Sequence, residues 1–328
     1  MKDELRVFLF ARTDNCQQHW LLAKAMRDYL GWDAKSCVKH NTYLGYPTDW
    51  ILKNDTQEAA EFIKTADLII LQDAMLAPEH LDIPKYATTH NTIINGTGTA
   101  MRSVMGVLAG SQYDGWVVLP NLADETVSTH IGFTPFENWI LPVEEIDALT
   151  KGIEKNDGIS ICHAPTAAGV KGTEKIERIL QPKIDSGEIT YERIQALSWE
   201  EAIQHKAKHN IILDSFGTVT KTYGAGNALE GLILRQRVIS HISPWAYAIH
   251  PDLPMTTTWM KDIGEVVKEE ILNIQDTINA IHHAKEEYMS LATRNERARR
   301  WAIEHFNAGK QIQHWKHFVE WVMTRDLA

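Results

Sequence analysis

The feature that most constrains this chain is an alternation of short apolar runs with amphipathic segments of helical period. It occurs once along the first half and again along the second. In the first half "LRVFLFA" reads as a strand, and "CQQHWLLAKAMRDYLG" follows as a helix closed by Gly31. "DAKSCV" is a second strand, "TQEAAEFIKTA" a short helix with Thr56 as its N-cap, and "DLIILQD" a buried strand. "NTIING" and "GWVVLP" continue the series, with helical "AMRSVMGVLAG" between them. Such strand–helix alternation builds a mostly parallel sheet covered by helices.

Around "NWILPVEEIDALTKGIEKNDG" the pattern relaxes into Pro, Gly and charge, and then it restarts. "GISICHA" is a strand, and "GTEKIERILQPKI" is a helix with apolar positions 176, 179, 180 and 184 on one face. "ITYERIQA" is a strand, "SWEEAIQHKAKH" a Ser-capped helix, "NIILDSF" a strand, "GAGNALEGLILRQ" a helix and "RVIS" a strand. From residue 262 onward the pattern is helical. A length of 328 residues is long for one core. The expectation is therefore an α/β chain of two Rossmann-like domains, with a boundary near residues 142 to 156. Ligands of open parallel sheets bind at the C-terminal ends of the strands, so function belongs in the loops there.

Composition narrows the function classes. With 44% hydrophobic and 23% charged residues the chain is of soluble globular type. The formal net charge of −10 argues against coating nucleic acid through a global field, while leaving room for a local basic groove. No apolar run approaches the roughly 18 residues that span a bilayer, so no membrane insertion is expected. "MKDELRVFLFARTDN" reads as a first strand and not as a signal peptide. Three cysteines (Cys16, Cys37, Cys162) cannot all pair, which points to a reducing, cytoplasmic setting. Most of the 11 tryptophans belong in cores or domain interfaces, with a minority lining a ligand cleft.

The stretch "CHAPTAAGVKGTEKIERIL" carries the strongest chemical signal. It leaves a strand through His163 and puts Lys171, Gly172 and Thr173 at a helix entrance. A helix N-terminus offers unpaired N–H groups and a partial positive charge, and an ammonium beside it makes a pyrophosphate site. The plain alternative is a surface lysine beside an ordinary Thr/Glu cap. A second stretch, "DSFGTVTKTYGAGNALEGLILRQRVIS", ends a strand at Asp214 and continues through Gly217, Gly224 and Gly226, where a ligand can approach closely. Glu230 lies one turn inside the next helix among apolar neighbours. Its carboxylate suits two vicinal hydroxyls such as those of a ribose, and its plain alternative is a solvated helix face.

Together these stretches resemble the donor-binding domain of GT-B glycosyltransferases of the glycosyltransferase family 4-like group, most clearly over residues 157 to 240. The shared parts are His163-Ala164-Pro165, Lys171-Gly172-Thr173 and "ALEGLILRQRVIS". The resemblance implies two Rossmann-like domains facing a central cleft. Residues 1–145 would bind the acceptor and residues 146–290 the nucleotide-sugar. Residues 291–328 would form helices packing back on the first domain. It further implies that Lys171 contacts the donor diphosphate, that Glu230 holds the ribose, and that Gly224, Gly226 and Asn227 lie against the phosphates or sugar. The group's first Glu, eight positions before the second, is Thr222 here, so its sugar-holding role does not carry over. The proline before Val-Ile is Arg237. In the first half "INGTGTAMRS" resembles the family's Gly-rich loop, which places Gly96, Thr97, Gly98 and Arg102 toward acceptor or phosphate. Asp14 and Asp73, at strand ends, are the candidate bases for an acceptor hydroxyl, against the plain reading of turn or cap residues.

The implied activity is transfer of a sugar from a nucleotide-diphosphate sugar, UDP-glucose or similar, to a hydroxyl acceptor. The compact length resembles bacteriophage members of the group, some of which glycosylate hydroxymethylated bases in DNA. A duplex acceptor would require base extrusion. A glycan or small-molecule acceptor, a nucleotide-sugar epimerase and a non-catalytic nucleotide-sugar binding protein stay open. Product from donor alone would identify the epimerase, and tight binding without turnover the binding protein. No tightly bound cofactor is expected. Metal dependence is not expected either, since no Asp-x-Asp pair occurs. Cys16/His19 and Cys37/His40 have zinc-like local spacing, but one pair falls in a predicted helix and the other at a strand end. "RNERARR" concentrates Arg294, Arg297, Arg299 and Arg300, either as an exposed helix face paired with acids or as a nucleic-acid-facing edge.

Overall fold

The computed structural model describes residues 4–72, 91–96, 115–118, 134–135, 139–216, 226–242, 250–257 and 285–324. The chain forms two compact units. One comprises Met1–Leu141 with His305–Ala328, the other Pro142–Glu304.

The first unit opens with β1 (Arg6–Ala11), whose residues from Val7 onward are all buried. α1 (Gln18–Leu30) follows and ends where Gly31 takes φ +68°. There the N–H groups of Gly31 and Trp32 bond back to Arg27 and Met26, a left-handed cap that a glycine accepts without strain. Next come β2 (Asp33–Val38), β3 (Trp50–Ile51), α2 (Leu52–Ile63), β4 (Leu68–Gln72), β5 (Asn91–Gly96), β6 (Gly115–Val118) and β7 (Thr134–Pro135). The strands pair in parallel in the order β3-β2-β1-β4-β5-β6-β7. One local expectation fails. α2 begins at Leu52, and Thr56 is inside it, its hydroxyl bonded back to the Leu52 carbonyl. The Asp55 carboxylate instead takes the Ile51 N–H, at a residue whose own φ is −116°.

The second unit contains α3 (Val143–Thr150), β8 (Ser160–His163), α4 (Ala168–Lys171), α5 (Thr173–Asp185), β9 (Thr190–Arg193) and α6 (Trp199–Ala207). β10 (Ile211–Leu213), α7 (Gly226–Ile233), β11 (Arg237–Ser240) and β12 (Thr256–Thr257) complete its sheet, with parallel order β12-β11-β10-β8-β9. α5 buries Ile176 and Leu180, two positions of the predicted face. α6 begins with the predicted Ser198 cap, closed as a capping box by Glu201. α7 is buried on nearly every side. Lys155 ties the ends of α6 and α7, its ammonium donating to the carbonyls of Ala207, His209 and Leu234. Burial there holds its pKa down at about 8.

The chain ends in α8 (Lys285–Phe306) and α9 (Ala308–Thr324), separated at Asn307. Within the second unit, Arg299 on α8 donates to the Ile233 carbonyl and to the Asp147 carboxylate, both at 2.6 Å. Trp301 stands edge-on to His250. These bonds carry the second unit to Glu304, beyond the 290 expected from the sequence. α9 then lays Ile312, Trp315, Val319 and Val322 into the core of the first unit, beside Leu22 and Met26 of α1. That spacing presents one helical face. Among the described residues no helix is long and apolar enough to cross a membrane.

At Gly231, α7 lies close against the sheet. A Cβ there would stand 2.6 Å from Ile212 Cγ2 and 3.1 Å from Val238 Cγ2, whereas a Cβ at Gly169 would meet nothing within 4 Å. Gly231→Ala is expected to destabilise the protein by about 1–3 kcal/mol through overpacking, and Gly169→Ala to leave it nearly unchanged. Urea unfolding of the two variants measures the difference.

Candidate functional site

The strand ends of the second unit gather the residues singled out by sequence. His163, the last residue of β8, is fully buried. Its Nδ1 lies 2.7 Å from the Leu213 carbonyl and its Nε2 2.9 Å from the Thr173 hydroxyl. A carbonyl only accepts, so Nδ1 carries the proton and Nε2 accepts from Thr173. Burial lowers the imidazole pKa to about 4, which keeps it neutral. His163 and Thr173 thus fasten β8 to β10 and to the start of α5, and both ring nitrogens are spent on the fold.

Lys171 is placed differently from the expected helix entrance. It closes α4, a single turn, and Gly172 at φ +76° breaks the chain before α5 starts at Thr173. The left-handed φ explains the glycine better than close approach of a ligand does. The Lys171 ammonium donates to Asp214 Oδ1 at 3.0 Å, and the same oxygen accepts from the Asn227 amide at 3.1 Å. The Lys171 side chain is 12% exposed, Asp214 not at all. Asp214 follows β10, while Gly226 and Asn227 begin α7. An ammonium, a buried carboxylate and a helix N-terminus therefore meet at one edge of the sheet.

Glu230 has a structural partner that the sequence pattern did not reveal. Its Oε1 accepts from the Trp199 indole at 2.9 Å and its Oε2 from the Lys206 ammonium at 2.6 Å. All three side chains are buried between α6 and α7. Each carboxylate oxygen already holds one bond, and a ribose would have to reach the remaining lone pairs through that packing. Lys206 was legible only as one polar residue of an amphipathic helix, because its partner lies 24 residues away.

In the first unit, Asp14 caps α1. Its two oxygens accept the backbone N–H groups of His19 and Trp20 at 3.0 and 2.9 Å. Burial raises its pKa to about 7, against the pull of the N–H groups of Trp20, His19 and Gln18. The turn before α1 holds Cys16 at φ +57° and Gln17 at φ +61°, a costly conformation for residues with a Cβ. Gln18 braces it, exchanging two hydrogen bonds with the Ile140 backbone. His19 is fully buried, neither ring nitrogen has a hydrogen-bond partner among the described residues, and burial lowers its pKa to about 3. Gly96 ends β5. Asp73, Thr97, Gly98, Arg102 and Gly224 lie outside the described residues.

The arginine cluster resolves into separate roles. Arg299 is buried in the bonds to Ile233 and Asp147, and Glu296 pairs with Arg235 at 2.6 Å. Both anchors lie at or beyond the C-terminal end of α7, away from the Gly226 end where Lys171 and Asp214 meet. Arg297 and Arg300 are exposed.

No family model and no curated protein matches the chain. Solved structures do. The alpha-glucosyltransferase of phage T4, in complex with UDP and a 13-mer DNA containing a central A:G mismatch, matches with a TM-score of 0.66 at 10% identity. The match covers 96% of this chain and 100% of that one. The chain has the GT-B fold. HepE of Anabaena in complex with UDP matches at a TM-score of 0.57 and 11% identity over 96% and 100% of the two chains. A glycosyltransferase from Rickettsia africae matches at 0.57 and 12% over 97% and 99%. At these identities the likeness is one of GT-B architecture, and side-chain chemistry has to be argued from this chain's own residues.

Two results test the site's supporting bonds. His163 has a folded pKa of about 4 against 6.5 for the free side chain. Below 6.5 the unfolded chain takes up a proton that the folded unit refuses, so this stabilisation, ~3 kcal/mol when complete, is present above pH 6.5 and is lost as pH falls to about 4. Unfolding free energy should drop over that window in the wild type, and less steeply in His163→Asn. Glu230→Gln should strand the Lys206 charge and cost about 3 kcal/mol. The double change Glu230→Met with Lys206→Met should recover most of it, as read by thermal unfolding.

Proposed function

We propose that the chain is a nucleotide-sugar-dependent glycosyltransferase that moves glucose from UDP-glucose to the hydroxyl of a 5-hydroxymethylated pyrimidine in DNA. The observation that carries this reading is the end-to-end match to alpha-glucosyltransferase. That enzyme is seen in complex with UDP-glucose and abasic DNA (97% of this chain, 100% of that one) and with UDP and DNA containing an HMU base. One of its complexes matches at a TM-score of 0.66, against 0.57 for HepE, whose complexes hold UDP and UDP with glucose.

The residues of the second unit fit the donor half of the reaction. When an acceptor hydroxyl attacks the anomeric carbon, the bond to the diphosphate breaks and negative charge grows on the leaving phosphate oxygens. Lys171 and the N-terminal N–H groups of α7 supply positive charge at one place, fixed before the reaction by Asp214. That charge does what a divalent cation would otherwise do, so activity is expected to survive EDTA. His163, Thr173 and Glu230 hold the frame on which Lys171 and α7 are mounted. Asp14 caps the helix after β1, at the strand edge where the first unit would receive the acceptor. With a pKa of about 7 it is poised to take a proton at neutral pH if the acceptor hydroxyl reaches a lone pair left by the cap.

The test has two steps. Titration calorimetry with a panel of nucleotide-diphosphate sugars is expected to show selective binding of UDP-glucose, weakened tenfold or more, about 1.4 kcal/mol, by Lys171→Ala. Incubation with UDP-glucose and hydroxymethylated DNA, followed by mass spectrometry of the digested nucleosides, is expected to show an added hexose. Donor binding without hexose on DNA would move the acceptor to a glycan or small molecule. No binding of any nucleotide-sugar would remove the transferase reading.

A further inference from the structure

Asp214 is a carboxylate with no exposed surface, placed where the donor's anionic diphosphate is proposed to bind. By charge alone it is the wrong group for that edge, and a buried carboxylate is retained only when it is paired and hydrogen-bonded. Its bonds show what it does. Oδ1 accepts from the Lys171 ammonium at 3.0 Å and from the Asn227 amide at 3.1 Å, and Oδ2 lies 3.4 Å from the Ser240 hydroxyl. A lysine has three donors on a flexible stem, and one is committed to Asp214. That bond keeps the amine at the strand edge with its remaining donors available to phosphate.

The second consequence concerns Asn227. A carboxylate accepts only, so the amide must turn its NH2 toward Asp214 and its oxygen away. That oxygen is buried with no hydrogen-bond partner among the described residues. A buried amide oxygen left unpaired costs free energy that a ligand hydroxyl would recover. One carboxylate therefore fixes a cation for phosphate and an acceptor for a hydroxyl, at the first turn of α7.

We infer that Asp214 is a positioning residue of the donor site, aiming the Lys171 ammonium at the diphosphate and the Asn227 amide oxygen at a hydroxyl of the bound nucleotide-sugar. The inference rests on the donor site proposed above. Asp214 touches no substrate itself and acts through its two partners.

A double-mutant cycle on the full chain tests it, with UDP-glucose binding followed by NMR titration, which reads affinities into the millimolar range. The four proteins are wild type, Asp214→Asn, Lys171→Ala and the double variant, with thermal unfolding recorded for each. Asp214→Asn should weaken UDP-glucose binding roughly tenfold in the wild-type background and by clearly less where Lys171 is already absent, because most of the loss passes through that amine. If Asp214→Asn does not fold, Asp214→Glu replaces it. The extra methylene displaces the ammonium while keeping the charge, and the same non-additive loss is expected. Wild-type affinity in the variant, or an equal loss in both backgrounds, would overturn the inference and leave Asp214 as a fold element only. Failure of the wild type to bind any nucleotide-sugar would instead overturn the donor site, and this inference with it.

Discussion

The second unit depends on one imidazole. His163 joins the end of β8 to the Leu213 carbonyl of β10 and to the first hydroxyl of α5, and burial keeps it neutral while it does so. Parallel strands have no hairpin to hold their ends in register, so the C-terminal edge needs bonds of its own. With β8 and β10 tied there, Lys171 and Asp214 come from two different strand exits to within 3.0 Å. If that tie were loose, the ammonium would have no fixed address.

The same unit manages its buried charges in pairs. Glu230 and Lys206 neutralise each other between α6 and α7, with the Trp199 indole completing the carboxylate. Asp214 and Lys171 do so at the strand edge. The two pairs differ in what they leave over. Both members of the first are almost wholly enclosed, whereas Lys171 keeps 12% of its side chain in solvent. A charge pair with one partner still accessible can share its cation with an arriving anion, and an enclosed pair cannot.

The first unit carries the opposite economy at the turn after β1. Two left-handed residues, a buried cap carboxylate with a raised pKa and a histidine with no hydrogen-bond partner among the described residues all raise the free energy of the folded chain. The Gln18 bonds to Ile140 and the core built with α9 hold the turn in place. Strain that is overdetermined by its surroundings is a common property of sites that meet a ligand.

Much of this was legible in the sequence because it depends on local period. The strand runs, the α5 face at Ile176 and Leu180, the Ser198 cap and the Gly31 stop are fixed by residues within a few positions of one another. The sequence also marked His163, Lys171, Asn227 and Glu230 as unusual, since polar residues at apolar strand and helix ends need a reason. It could not assign the reasons. Thr56 looked like a cap because cap chemistry is local, but Asp55 and the backbone at Leu52 decided otherwise. Glu230 was marked for ligand chemistry alone, and its bonds to Lys206 and Trp199 arise only from the packing of two helices. Asp214 gained its partner Lys171, 43 residues away, only when β8 and β10 became neighbours. Hydrophobic period is a property of the chain alone, so the sequence determined the elements and the α/β class. The partner of a buried charge is a property of which elements lie side by side, so only the tertiary structure decided which polar residues hold the fold and which remain available for chemistry.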